Sequence, residues 1–295
     1  MIICAAAFFA AACQEKEPAV DRICFTADDY VYVGENPLTK TSIAAGNAFI
    51  WSQNDTVGVY PDTGSQVFFE MTSGAGAGSA TFDGGGWAFK PSAVYYSYYP
   101  FIGDIYLNRN HIPVSFVGQQ QRAVDGIDHI GPYDYMYADP ASAANGVVGF
   151  EYHHLCCIIK PYLTLPAGTW TKVAITAPSK VFAVEGYYDL MAQTPEIIPT
   201  KTSTQIQIDL NNITLTEETV VPVFIVSVPV NLKGQEITVS VRNSEGKEYQ
   251  CKKTPSNIYN AGRIGGLTCN NWTEAPMSLI IEDWGDGGSI SGTAD

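Results

Sequence analysis

Residues 93–101 read AVYYSYYPF, a run holding Tyr95, Tyr96, Tyr98 and Tyr99 and closing on Pro100 and Phe101. Aromatic residues suit a pleated, half-buried surface, and tyrosines at both odd and even positions put rings on both faces of a strand. Runs of the same kind lie on either side. Toward the N-terminus they are 23–33 (ICFTADDYVYV), 47–51 (NAFIW), 56–60 (TVGVY), 66–71 (QVFFEM) and the short 80–82. Loops separate them at 34–40 (GENPLTK) and in the small-residue stretch 73–79. Toward the C-terminus a polar, aromatic stretch runs to about residue 147, and 149–163 (GFEYHHLCCIIKPYL) closes the first half.

The second half opens after Pro166-Ala167-Gly168. Strands are predicted there at 172–176, 181–187, 205–210, 220–228, 236–242, 248–252 and 277–284. No convincing amphipathic helix interrupts the series. Short β-prone runs with turn signals between them predict an all-β chain of two sandwiches in tandem. The domains expected are 23–165 and 166–295, with the boundary near residues 165–169.

Composition supports this. A chain of 295 residues is long for one sandwich and comfortable for two, at roughly 100–150 residues per domain. Only 16% of residues are charged, while Tyr (17), Phe (13), Gly (27) and Pro (17) supply pleated surfaces and turns. The formal net charge is −14, and no run of Lys and Arg offers a basic patch. Such a surface repels polyanions, so no nucleic-acid partner is expected.

The first residues, MIICAAAFFAAA (1–12), are uncharged and apolar and are followed by Cys13-Gln14-Glu15-Lys16. An apolar run ending in small residues and a cysteine is the pattern of a bacterial lipoprotein signal peptide, in which the Cys13 thiol takes the lipid. The run is too short to span a bilayer. No Lys or Arg stands in front of it, a departure that fits a start codon further upstream. Residues 13–22 (CQEKEPAVDR) read as a tether. No later stretch reaches the roughly 18 apolar residues of a membrane span, so the remainder is expected to be exported and soluble.

With Cys4 in the leader and Cys13 acylated, Cys24, Cys156, Cys157, Cys251 and Cys269 remain, scattered and without any CxxC spacing. They do not form a disulfide framework, although Cys251 and Cys269 would pair if their strands are neighbours.

Several segments invite chemistry and then fail to support it. His153-His154 and Cys156-Cys157 look like metal ligands. On a strand, though, His154 and Cys156 face one way and His153 and Cys157 the other, too few per face for a tetrahedral zinc. His111 and His129 add nothing that demands a metal. Gly74-Ala75-Gly76-Ala77-Gly78 lacks the Lys and Ser/Thr of a phosphate loop. Residues 283–288 (DWGDGG) lack the alternating acids and closing Glu of a calcium loop, and the Asp-rich stretch 125–139 reads as a solvated acidic loop. No GxSxG elbow is present, so neither cofactor, metal nor catalytic residue is expected.

Taken together, several of these segments resemble the fimbrillin (Mfa-like, FimA-like) family of Bacteroidetes pili. They are Cys13, the stretch 41–60 (TSIAAGNAFIWSQNDTVGVY), the aromatic strand 94–101 (VYYSYYPF), the strand 150–159, Ala261-Gly262 and 280–284 (IIEDW). The resemblance implies two transthyretin-like β-sandwich domains and delivery to the outer membrane through lipid on Cys13. It also implies other fimbrial subunits as partners, and a host or bacterial surface as ligand. In such proteins a trypsin-like or Arg-specific protease frees an N-terminal strand, and a strand of the next subunit fills the groove.

Cleavage after Arg22 would remove only the tether, whereas cleavage after Lys40 would release the strand 23–33; Lys40 is therefore the expected cut and Arg22 the second. The expected donor is 277–284 (MSLIIEDW), with Leu279, Ile281 and Asp283 on one face, Ser278, Ile280 and Glu282 on the other, and Trp284 at its end. An ordinary last strand is the alternative for that segment. Two other roles fit the same composition: a non-polymerising fimbrial anchor, and a glycan-binding surface lipoprotein with Trp87, Trp170, Trp272 or Trp284 stacked on sugar rings.

Overall fold

Alternation builds much of this protein. In QIQIDLNNITL (205–215), Ile206, Ile208, Leu210, Ile213 and Leu215 are buried while the intervening residues are exposed, the period-2 signature of a half-buried strand, slipped by one residue at Asn211-Asn212. The structure, a computed structural model, describes residues 24–29, 42–43, 49–84, 92–104, 106–144 and 146–275, with 24–29, 42–43 and 49 described through their backbone pairing.

The first ten strands are β1 (Cys24–Asp29), β2 (Ser42–Ile43), β3 (Phe49–Ile50), β4 (Thr56–Pro61), β5 (Val67–Ser73), β6 (Ala80–Asp83), β7 (Tyr95–Tyr99), β8 (Ile112–Ser115), β9 (Met136–Ala138) and β10 (Val147–His154). There follow β11 (Cys157–Leu165), β12 (Gly168–Thr176), β13 (Phe182–Tyr188), β14 (Ile198–Ser203), β15 (Gln205–Leu215), β16 (Thr219–Pro222) and β17 (Ile225–Ser227). The last are β18 (Val230–Asn231), β19 (Ile237–Asn243), β20 (Glu248–Lys253), β21 (Ile258–Tyr259), β22 (Ile264–Cys269) and β23 (Thr273–Glu274). Apart from a 3₁₀ turn at Gly131–Tyr133, the described residues contain no helix.

Seven strands close on themselves in the order β1-β10-β9-β7-β4-β5-β6, with β6 returning to β1. Inside lies a core of Trp51, Val57, Val59, Phe69, Phe82, Tyr95, Tyr99, Met136, Val148, Phe150 and Tyr152. The later chain forms a sandwich. Its five-stranded sheet β15-β12-β19-β20-β23 faces a sheet of β16, β11, β17 and β22 across a core that includes Leu163, Trp170, Val173, Ile208, Val239 and Ile225. Closure into a barrel and pairing into a sandwich are two ways of burying the apolar face of a sheet, so the all-β, sandwich-type expectation holds.

Three findings refine the strand assignments. The predicted strand 149–163 is two strands, broken at Leu155-Cys156, where Leu155 N–H donates to Tyr135 O (2.8 Å) and Cys156 O accepts from Gly262 N–H (2.8 Å). β11 precedes the boundary expected at 165–169, yet its strand partners β16, β17 and β22 all lie beyond that boundary. β8, inside the polar stretch that was given no strand, pairs with β13 and so stitches the early chain to the later one. Tyr60, Tyr98, Ile112, Tyr135, Cys156, Tyr188 and Phe224 fill the core beneath that join.

The predicted strand 220–228 is likewise interrupted, at Val223-Phe224, and two buried glutamines take its backbone groups. Gln119 donates to Val226 O (2.8 Å) and accepts from Val226 N–H (2.8 Å). Gln121 donates to Pro222 O (2.9 Å) and accepts from Phe224 N–H (3.1 Å). An amide side chain carries a donor and an acceptor side by side and so serves both backbone groups at once. Gln119→Leu leaves both backbone groups of Val226 unmet and should cost about 3 kcal/mol in urea unfolding. A loss below about 1 kcal/mol would contradict this role.

Candidate functional site

The barrel has a seam at β1. This strand pairs in parallel with β10 along all six residues, Cys24↔Val147 through Asp29↔Tyr152. It also pairs antiparallel with β6 at Phe25↔Phe82, Thr26↔Thr81 and Ala27↔Ala80. Every partner lies far along the chain, whereas β4, β5 and β6 follow one another as antiparallel neighbours. β1 can thus leave without cutting a hairpin, because neither of its partners adjoins it in the chain and no described strand precedes it.

Taking β1 out would turn β6 and β10 into edges. Val148, Phe150 and Tyr152 of β10, with Ala80 and Phe82 of β6, are buried in the barrel core and would line the resulting groove. The register positions opposite Val148 and Phe82 belong to Phe25, and those opposite Phe150 and Ala80 to Ala27. A strand filling the groove must therefore carry apolar residues at a spacing of two, in line with the pleat.

The groove floor is firm. Trp51 makes edge contacts with Phe82 (5.0 Å), Tyr99 (5.6 Å) and Tyr152 (5.6 Å). The glycine-rich loop between β5 and β6 clasps its backbone: Trp51 N–H donates to Ala77 O (3.0 Å), and Gly76 N–H donates to Trp51 O (2.8 Å). Gly74 adopts φ +102°, and a Cβ there would lie 2.4 Å from Ser79 O, so the glycine serves a tight turn rather than a phosphate.

The residues that sequence reasoning singled out fare differently. Cys13, Arg22, Lys40, Leu279, Ile280, Ile281 and Trp284 lie outside the described residues, as do Trp87 and the segment 283–288. Trp170 is buried in the sandwich core. The indole of Trp272 donates to Thr164 O (2.8 Å) and packs on the same core. Burial removes Trp170 from the sugar-stacking candidates, whereas Trp272 is only half-buried.

The histidines are spread apart and separately engaged. His154 Nδ1 donates to the buried Asp134 carboxylate (2.8 Å), His153 Nε2 lies 3.0 Å from Asp139 Oδ2, His129 Nε2 donates to Phe224 O (2.7 Å), and His111 stacks on Tyr187. Cys156 and Cys157 fall into different cores, and burial pushes both thiols well up, away from reactive thiolates. Among the described residues, no group of His, Cys, Asp and Glu is arranged to hold a metal ion.

A seven-stranded barrel with its first described strand as the seam, joined to a sandwich, defines the architecture. No protein-family model and no curated protein matches this sequence. Solved structures do. A candidate cell adhesion protein of Bacteroides uniformis is similar at a TM-score of 0.54 and 14% identity, covering 88% of this chain and 98% of that one. A second, from Bacteroides ovatus, gives 0.53 and 15%, covering 89% and 99%. At such identities the likeness is one of fold, and it extends over nearly the whole of each chain.

Proposed function

We propose that this chain is a structural subunit of a cell-surface pilus, exported as a lipoprotein through Cys13 to the outer membrane and assembled by strand exchange after proteolysis. The observation that carries this reading is the seam. β1 bridges β6 and β10 over an apolar floor, and its removal leaves two unpaired strand edges facing one groove. The fold shared with Bacteroides proteins proposed to act in cell adhesion supports a surface role, as does the sequence resemblance to fimbrillins. Its partners are other fimbrial subunits, and its work is mechanical rather than enzymatic.

Cleavage after Lys40, two residues before β2, detaches β1, whereas cleavage after Arg22 leaves it seated. The incoming strand is residues 277–284 of a neighbour, whose Leu279 and Ile281 have the two-residue spacing that the positions of Phe25 and Ala27 require. Immunogold electron microscopy with an antibody to this chain tests the reading. Gold along filaments supports a shaft subunit and gold at their ends a tip. Gold confined to the membrane, with no filament attached, would refute polymerisation and favour a lipid-held anchor or glycan-binding protein.

A further inference from the structure

Two thiols meet where the sheets of the sandwich face each other. Cys251 lies on β20, opposite Val239 of β19, and Cys269 ends β22, opposite Leu163 of β11. The two strands belong to different sheets, and both side chains are buried in the same core. The Cys269 and Cys251 thiols interact across that core, and both are free in this structure. Cys156 and Cys157 differ: their thiols donate to Tyr133 O (3.4 Å) and Val228 O (3.5 Å) and point into separate cores.

We propose that Cys251 and Cys269 form a disulfide in the mature protein, stapling the five-stranded sheet to the sheet that carries β11. Two thiols lose two protons and two electrons and one S–S bond forms. The electrons pass by thiol–disulfide exchange to a dithiol oxidase, or in solution to glutathione disulfide, which is reduced to two thiols. The inference rests on the export proposed above, because such bonds persist in oxidising compartments. Burial, and the neighbouring Cys251, push the Cys269 thiol up to about 12, so exchange belongs to folding, before β22 closes over β20.

The position gives the bond a purpose. From Cys269 the chain crosses residues 270–272 and enters β23, which pairs with β20 at Gln250↔Thr273 and Tyr249↔Glu274. A pull on the segment 277–284 therefore reaches the fold through β23 and then β22. The crosslink fastens β22 directly to β20, so the last strands cannot peel away from the sheet.

The test is to refold the full chain in glutathione redox buffer, alkylate it in denaturant without reductant, and map the peptides by mass spectrometry. The expected result is one peptide pair joined through Cys251 and Cys269, with Cys156 and Cys157 alkylated. Reduction should lower Tm by about 5–10 °C, and the C251S/C269S double variant should lose that response. Alkylation of Cys251 and Cys269 as well, with a Tm indifferent to reductant, would overturn the proposal. The same mapping on protein recovered from the cell surface separates the two readings. Surface protein with free Cys251 and Cys269 sinks the disulfide and leaves the pilus standing, whereas a linked pair in refolded protein that cells keep in the cytosol upholds the pairing and sinks export.

Discussion

Lys40→Ala should abolish filaments, while Arg22→Ala should leave them at wild-type abundance. Both residues flank β1, but only a cut on its C-terminal side separates the strand from the barrel. An uncut β1 occupies the groove from within its own chain, at an effective concentration no neighbour can match. The stakes per site are large. Six residues of β1 pair with β10, and at about 1 kcal/mol net for each backbone hydrogen bond a full strand is worth about 6 kcal/mol, or a factor of about 10⁴ in affinity. Loss of the cut therefore removes assembly rather than weakening it. Electron microscopy of sheared surface material measures the outcome. Abundant filaments from Lys40→Ala, and none from Arg22→Ala, would reverse the assignment and point to a protease that requires Arg.

Deleting residues 277–295 should also abolish polymerisation, and by the opposite route. The truncated chain is still cut and still offers a groove, but it has no strand to give. β23 ends at Glu274, so every described strand survives the truncation and thermal unfolding should change little. A sharper consequence follows from the asymmetry. Truncated subunits accept a donor and cannot pass one on, so a small fraction added to intact cut subunits should stop growth and shorten filaments in proportion. Normal filaments from the truncation would show that 277–284 is an ordinary last strand and that the donor lies elsewhere.

Local alternation made most strands readable, because it is written in neighbouring residues. TVGVY, QVFFEM and YYSYY fold as β4, β5 and β7 with ends displaced by at most two residues. Pairing was another matter. Nothing in residues 23–33 reveals that 24–29 run parallel to a strand more than a hundred positions later, since parallel neighbours need long crossovers and leave no turn signature.

β22 was missed for a different reason. IGGLTC holds Gly265 and Gly266, which lower strand propensity, yet a Cβ at Gly265 would lie 2.2 Å from the Tyr259 ring. Gly265 is a packing device, not a turn. The clamp at Gln119 and Gln121 was equally invisible, because a glutamine in a polar loop looks solvated until the strand it serves is known. Of the functional segments, β1 was legible as a strand, but its role as the seam needed the two partners that only folding supplies.

The most direct measurement is the mature N-terminus of this protein, read by mass spectrometry in sheared filaments and in the membrane fraction. The account predicts filament protein beginning at Thr41, with precursor still acylated at Cys13 in the membrane. Filament protein beginning at Cys13, with β1 uncut, would contradict it.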